Sequence, residues 1–141
     1  MALGATGKLG LLKRVPLFEQ CSKKDLQSIA QIADELDLRA GKVLIEEGER
    51  GREFFVIVEG EEVRRKGRKV ATLGPGSFFG EMALLSKIPR AATITTLTAV
   101  DVLVITDRAF LDLLNRMPAL WLKVARALAE RVGANELNDL K

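Results

Sequence analysis

Glycine-containing turns divide the middle of this chain into short apolar runs, and this spacing constrains the fold more than any other feature. Short strands separated by frequent turns are typical of closed or double-sheet β proteins. The sequence therefore predicts a mainly β protein with flanking helices, namely a double-stranded β-helix or jelly roll of the β-roll type. The candidate strands cover residues 36–39, 43–46, 53–59, 61–65, 69–73, 91–97 and 100–106.

Helical patterns flank the predicted strands on both sides. Ser22 and Asp25 form a capping-box pattern before a run of apolar residues at helical spacing. After the last strand, the pattern predicts one helix over residues 107–116 and a second that begins at Pro118. We expect residues 1–10 to be a flexible segment and residues 11–141 to form a single domain. Its expected parts are N-terminal helices (11–34), a β-roll (35–106) and a C-terminal helical lid (107–138).

An apolar stripe runs along the second C-terminal helix. A stripe of this width either packs on the protein's own β-roll or mediates a homodimer, and the sequence favours neither. Its members are Leu120, Val124, Ala127, Leu128 and Val132.

Composition excludes several functions. The 141 residues, enough for one hydrophobic core, include no histidine, so neither a Ser-His-Asp triad nor an imidazole-held metal is available. We therefore expect no catalytic residues, no metal site and no enzymatic activity. The single cysteine, Cys21, cannot form an internal disulfide, and no apolar run approaches the roughly 18 residues of a membrane span. A cytoplasmic protein without a membrane segment or a DNA-binding domain is expected.

Two charged turns interrupt the strand pattern. Residues 46–51 form a polar, largely acidic turn between two candidate strands. Residues 64–69 are a concentrated basic run around Gly67. We favour a solvated hairpin tip whose charges protect a sheet edge. A surface for a protein partner or for nucleic acid is the alternative, although no interleaved aromatic residue supports base stacking.

Residues 79–93 carry the strongest functional signal. Gly80 has no Cβ, so its backbone can approach a ligand closely, and the residues after it favour a short helix. Free N–H groups at a helix start attract anions. Arg90 adds a planar fork of donors that suits a phosphate, whereas Glu81 can only accept hydrogen bonds, as from a sugar hydroxyl. An anion and a hydroxyl together indicate a nucleotide.

This segment resembles the phosphate-binding cassette of cyclic nucleotide-binding domains. The shared pattern is Phe-Gly-Glu, an apolar-Ala-apolar turn, a short variable stretch and then Pro-Arg-x-Ala-Thr. The similarity extends over roughly residues 12–130 and includes the turn glycines Gly41, Gly48, Gly60 and Gly76.

The resemblance implies specific roles for the cassette residues. Arg90 would pair with the cyclic phosphate, and Glu81 would accept a hydrogen bond from the ribose 2′-hydroxyl. Backbone N–H groups around Gly80, Met82, Ala83 and Ala92 would complete the anion site.

The resemblance also bears on the choice of base. In the family, a threonine directly after the arginine is associated with guanine, and this chain has Ala91 there. We therefore expect cAMP, bound as a regulatory ligand and not as a cofactor. A cGMP-preferring module and a degenerate β-roll that serves as an interaction scaffold are the alternatives. Trp121 could stack on the base, but a core anchor is the favoured interpretation. Thr93 is expected to be a strand residue whose methyl group packs, with a polar contact as the alternative.

The expected function is a regulatory module that transmits ligand binding through movement of its C-terminal helices. An effector domain, a protein partner or a second copy bound through the last helix would receive the signal. The sequence does not identify which.

Overall fold

The computed structural model describes residues 5–85 and 89–139 as a β-roll with helices before and after it. Three helices precede the strands, and a 3-10 helix interrupts them. The N-terminal helices are α1 (Ala5–Lys13), a first 3-10 helix (Pro16–Phe18) and α2 (Lys23–Gln31). The strands are β1 (Asp34–Leu38), β2 (Val43–Ile45), β3 (Glu53–Glu59), β4 (Glu62–Lys66), β5 (Lys69–Leu73), β6 (Phe78–Phe79), β7 (Thr93–Thr96) and β8 (Val100–Thr106). A second 3-10 helix (Glu81–Leu84) separates β6 from β7, and α3 (Asp107–Arg116) and α4 (Pro118–Asp139) follow.

The eight strands form two four-stranded antiparallel sheets. Their orders are β1-β8-β3-β6 and β2-β7-β4-β5, so neighbours in each sheet are mostly distant in sequence. The predicted β-roll class is confirmed. All seven candidate strands are present; three have the predicted ends and four have shifted ends. Strand β6 is an additional strand of two residues, and its Phe79 pairs with Phe55.

Strand β3 organises the two hydrophobic cores because its successive side chains point to opposite faces. Phe54 faces the helices, where its ring lies 6.1 Å from that of Phe18. Phe55 faces the interior of the roll and stacks on Phe79 at 5.2 Å. Both rings are buried, and β8 is likewise buried over nearly its whole length. The centre of the first sheet therefore has an apolar layer on each side.

The N-terminal helices are held by specific contacts. The capping box of α2 is present, with the Ser22 N–H donating to Asp25 Oδ2 at 2.9 Å and the Asp25 N–H to Ser22 Oγ at 3.1 Å. Residues 5–10, assigned to the flexible segment from the sequence, lie in α1. Leu12 is fully buried and Lys8 Nζ donates to the Ala33 carbonyl at 3.0 Å, so packing holds α1 despite its glycines.

The apolar stripe of α4 packs on the protein itself. Leu120, Val124 and Ala127 are buried, and Leu128 is partly buried against the same helix-side core. The side chain of Val132 lies outside the described residues. Packing on the protein's own body is therefore confirmed for the first part of the stripe. No helix in the described ranges is long and apolar enough to cross a membrane.

Candidate anion-binding site

The main chain of Arg90 is bound to the connection between β2 and β3. The Arg90 N–H donates to the Glu49 carbonyl at 2.7 Å, and the Gly48 N–H donates to the Arg90 carbonyl at 2.9 Å. The preceding residue, Pro89, forms an isolated antiparallel bridge with Arg50. The acidic turn predicted from the sequence thus has a structural role, because it fixes the backbone of the arginine.

The side chain of Arg90 is also fixed. Its Nη2 donates to the main-chain carbonyl of Glu53 at 2.7 Å, at the start of β3. Burial lowers the pKa of the Arg90 guanidinium, and the charge of Glu53 opposes that effect. A guanidinium has so high a pKa that it stays protonated. The site therefore holds a half-buried positive charge at a defined position.

Gly80 is required by both its conformation and its surroundings. Its φ of +84° lies in the left-handed region that side chains disfavour. A Cβ there would lie 2.5 Å from Arg90 Nη1 and 2.9 Å from the Glu53 carbonyl oxygen. In this structure the groups that lie close to Gly80 are the arginine and strand β3, and the close approach to a ligand stays a prediction.

The short helix predicted after Gly80 is a single 3-10 turn. The Ala83 N–H donates to the Gly80 carbonyl at 3.0 Å, so this N–H is engaged within the turn. Ala83 and Leu84 are buried, and Leu84 belongs to the same core cluster as Phe110 of α3. The side chains of Glu81 and Met82 lie outside the described residues.

The residues after Arg90 lead into β7. Ala91 is exposed and Ala92 is buried. Thr93 begins the strand, and its hydroxyl accepts a hydrogen bond from the Glu47 N–H at 3.0 Å. The expected position in a strand is confirmed, and the polar contact that was the alternative for Thr93 is present, where it joins β7 to the acidic turn.

Trp121 does not anchor the core. Its side chain is 48% exposed, so the favoured interpretation from the sequence was wrong. The helical period explains the difference. Leu120 and Val124 lie on the buried face of α4, and Trp121 lies about 100° around the helix from Leu120.

Two participants at Arg90 were not singled out from the sequence. Gly51 lies against the guanidinium, and Glu53 contributes its main-chain carbonyl. A carbonyl exists at every position, so no residue type signals it. Gly51 looks like an ordinary turn glycine until the arginine, 39 positions later in the numbering, is placed beside it.

A separate cavity of about 420 Å³ lies near the other end of β3 and has an acidic lining. Asp101 faces Asp37 on one neighbouring strand and Glu59 on the other. Burial raises the pKa of Asp101 to about 7, as do a hydrogen bond with Glu35 and the nearby carboxylates. The lining holds three carboxyl groups and one arginine, Arg39, so it disfavours an anion.

Comparison with known proteins identifies the class of module. The profile of the cyclic nucleotide-binding domain matches residues 35–117, more than half of the chain. The chain belongs to the cyclic nucleotide-binding domain family. A cAMP-dependent protein kinase regulatory subunit of Mycosarcoma maydis is 43% identical over 117 residues, which are 74% of this chain and 22% of that protein.

Solved structures agree with this assignment. The N-terminal domain of a transcriptional regulator from Streptomyces coelicolor A3(2) has a TM-score of 0.81 at 29% identity, covering 92% of this chain and 95% of that chain. The regulatory domain of Toxoplasma gondii PKA, crystallised with cAMP, has a TM-score of 0.70 at 30% identity, covering 77% of this chain and 44% of that chain. The chain spans about a third or less of the length of the first curated relatives it matches. The resemblance inferred from the cassette is confirmed.

Proposed function

We propose that this chain binds cAMP at the Arg90 region and acts as a regulatory module. The observation that carries the proposal is the fixed guanidinium, which lies beside Gly80 and is bonded to the Glu53 carbonyl. A preorganised cation loses little freedom when it binds an anion, so more of the interaction contributes to affinity.

The proposed chemistry assigns one role to each cassette residue. Arg90 pairs with the cyclic phosphate through charge-assisted hydrogen bonds, and Glu81 accepts a hydrogen bond from the ribose 2′-hydroxyl. Main-chain N–H groups of Gly80, Met82 and Ala92 complete the site. The N–H of Ala83 joins them if the 3-10 turn opens, since it now donates to the Gly80 carbonyl.

The preference for cAMP over cGMP rests on Ala91. Its methyl group offers neither a donor nor an acceptor to the exocyclic amine of guanine. Because Ala91 is exposed, the position is accessible from solvent. A related structure solved with cAMP supports the same choice.

The proposed output is a movement of α3 and α4 relative to the β-roll. A ligand shifts a conformational equilibrium only by its different affinities for the two states. The 3-10 helix beside Arg90 packs into the core that includes α3, which provides a physical connection. The relatives include a kinase regulatory subunit and part of a transcriptional regulator, so an effector domain or partner of that general kind is proposed.

Calorimetric titration of the purified chain with cAMP, cGMP and AMP tests this proposal. We expect cAMP to bind most tightly and AMP to bind weakly, because its open phosphate carries a second charge and does not have the shape of the cyclic diester. Tighter binding of cGMP would overturn the base assignment. Absence of binding for all three would favour an interaction scaffold.

A further inference from the structure

Gly51 occupies a position where the guanidinium of Arg90 leaves no room for a side chain. A Cβ at Gly51 would lie 2.6 Å from both Cζ and Nε of Arg90 and 2.8 Å from Nη1. Such distances are far shorter than the usual 3.5–4.0 Å between carbon atoms in contact. Gly80 lies against the same guanidinium, and a Cβ there would lie 2.5 Å from Nη1. The two glycines therefore form a slot around Arg90.

The backbone conformation of Gly51 does not itself require glycine. Unlike Gly80, it is not among the glycines with positive φ. Alanine could adopt its backbone angles, so the space taken by Arg90 is what excludes a side chain. This separates Gly51 from the turn glycines, whose replacement would be strained whatever their surroundings.

The segment that contains Gly51 is held on both sides. Arg50 forms the bridge with Pro89, and the Arg52 carbonyl accepts a hydrogen bond from the Asp107 N–H at 2.8 Å. Gly51 itself is buried. Because the backbone is held on both sides, a side chain at residue 51 would displace the end of the Arg90 side chain more readily than the loop.

We infer that Gly51 is a positioning residue for Arg90 and sets the place from which the guanidinium meets the phosphate of the bound nucleotide. The inference rests on the proposed function. Arg90 has five N–H donors, and the Glu53 carbonyl takes one of them while the slot orients the plane of the group. Displacement would therefore reduce phosphate affinity without removing any charge.

The test compares Gly51→Ala with Gly74→Ala. Gly74 also lacks a positive φ, and a Cβ there would meet nothing within 4 Å, so it controls for the loss of a glycine in a turn. In calorimetry with cAMP, we expect Gly51→Ala to weaken binding by at least about tenfold. Gly74→Ala should bind like the wild type.

A double-mutant cycle with Arg90→Ala separates positioning from general damage. If Gly51 acts through the guanidinium, Gly51→Ala should cause no further loss of affinity in the Arg90→Ala background. An equal loss in both backgrounds would overturn the inference, as would wild-type affinity in a folded Gly51→Ala protein.

Thermal unfolding without nucleotide gives a second readout of the same cycle. Gly51→Ala should lower the midpoint temperature when Arg90 is present and leave it unchanged when residue 90 is alanine. This holds even if Gly51→Ala alone fails to fold, because the double variant should then recover the fold. No recovery would contradict the inference. If the wild type binds no cyclic nucleotide, the proposed function fails, while this unfolding cycle still tests the contact between Gly51 and Arg90.

Discussion

Arg90 is held by two parts of the chain that lie apart from it in sequence, namely residues 48–53 and Gly80. The acidic turn forms hydrogen bonds with its backbone, and the Glu53 carbonyl at the start of β3 accepts a hydrogen bond from its Nη2. Gly51 and Gly80 lie against its guanidinium. Fixing a flexible side chain in advance reduces the entropy lost on binding. The affinity of the proposed site for a phosphate therefore depends on main-chain geometry as well as on one positive charge.

Replacement of Arg90 should remove most of the phosphate affinity. We expect Arg90→Ala to weaken cAMP binding by at least about tenfold, since hydrogen bonds to charged groups contribute about 1.5–3 kcal/mol. Calorimetry provides the measurement. Arg68→Ala is a matched control, because it also removes one arginine but lies at the exposed tip of the β4–β5 hairpin. Equal affinities for wild type and a folded Arg90→Ala variant would refute the site.

Glu62 makes the stability of the protein depend on pH. It is fully buried in the second sheet, and neither carboxylate oxygen has a hydrogen-bond partner among the described residues. Burial raises the pKa of Glu62 from 4.5 to about 7. As the pH rises through this interval, the unfolded chain loses its proton before the folded protein does. The free energy of unfolding should therefore fall, and the loss should level off above about pH 7.

Urea unfolding at about pH 5 and about pH 8 tests this dependence. Between these two pH values, Glu62 alone lowers the free energy of unfolding by about 2.5 kcal/mol. Asp101, whose pKa is also raised to about 7, adds a loss of the same sign. Glu62→Gln should reduce the difference between the two pH values and leave the part due to Asp101. An unchanged difference would show that Glu62 does not cause it.

At the scale of elements, one strand end joins the candidate site to the C-terminal helices. The Arg52 carbonyl accepts from the N–H of Asp107, the first residue of α3, while the next residue, Glu53, accepts from Arg90. The side chain of Thr106 caps the same helix by accepting from the Ala109 N–H at 3.2 Å. The residue that accepts from Arg90 is thus adjacent to the residue that accepts from the start of α3.

Hydrogen exchange tests whether this connection transmits binding. On addition of cAMP, we expect amides in residues 107–137 to become more protected, while those at the tip of the β4–β5 hairpin stay unchanged. Arg90→Ala at the same cAMP concentration should show no added protection. Identical exchange with and without cAMP in a wild type that binds it would argue against the proposed helix movement.

Elements with strong local signals could be predicted, and weakly marked elements could not. The capping box correctly predicted the start of α2, and Pro118 correctly predicted the start of α4. Strand β6 has only two residues, Phe78 and Phe79, and exists because it pairs with β3. Helix α1 contains two glycines and is held by tertiary packing, which local composition does not reveal.

At the scale of the whole molecule, both faces of the first sheet are covered by apolar layers. The helices bury one face and the second sheet buries the other, so a change in the helices exposes core surface. A ligand that binds only the folded state stabilises the entire domain by mass action. Thermal unfolding should therefore report nucleotide binding even though the site is local.

A thermal shift assay distinguishes a receptor from a scaffold. At a cAMP concentration of about 100 times the dissociation constant, binding adds about 2.7 kcal/mol to the free energy of unfolding. For a domain of this size, the midpoint should rise by on the order of 10 °C. AMP at the same concentration is the control and should produce a much smaller shift. Equal midpoints with and without cAMP would favour the scaffold.

The sequence by itself determined the β-roll class, the helices with clear caps, and the family, because these depend on local periodicity and on a compact motif at fixed spacing. Only the tertiary structure decided which groups hold Arg90 and which residues are buried. It brought Gly51 and the Glu53 carbonyl beside the arginine, left Trp121 exposed and enclosed Glu62. The surroundings of Arg90 and Glu62 follow from pairing and packing between distant segments, and a contact between distant segments leaves no local pattern in either of them. The exposure of Trp121 follows from the face on which α4 packs.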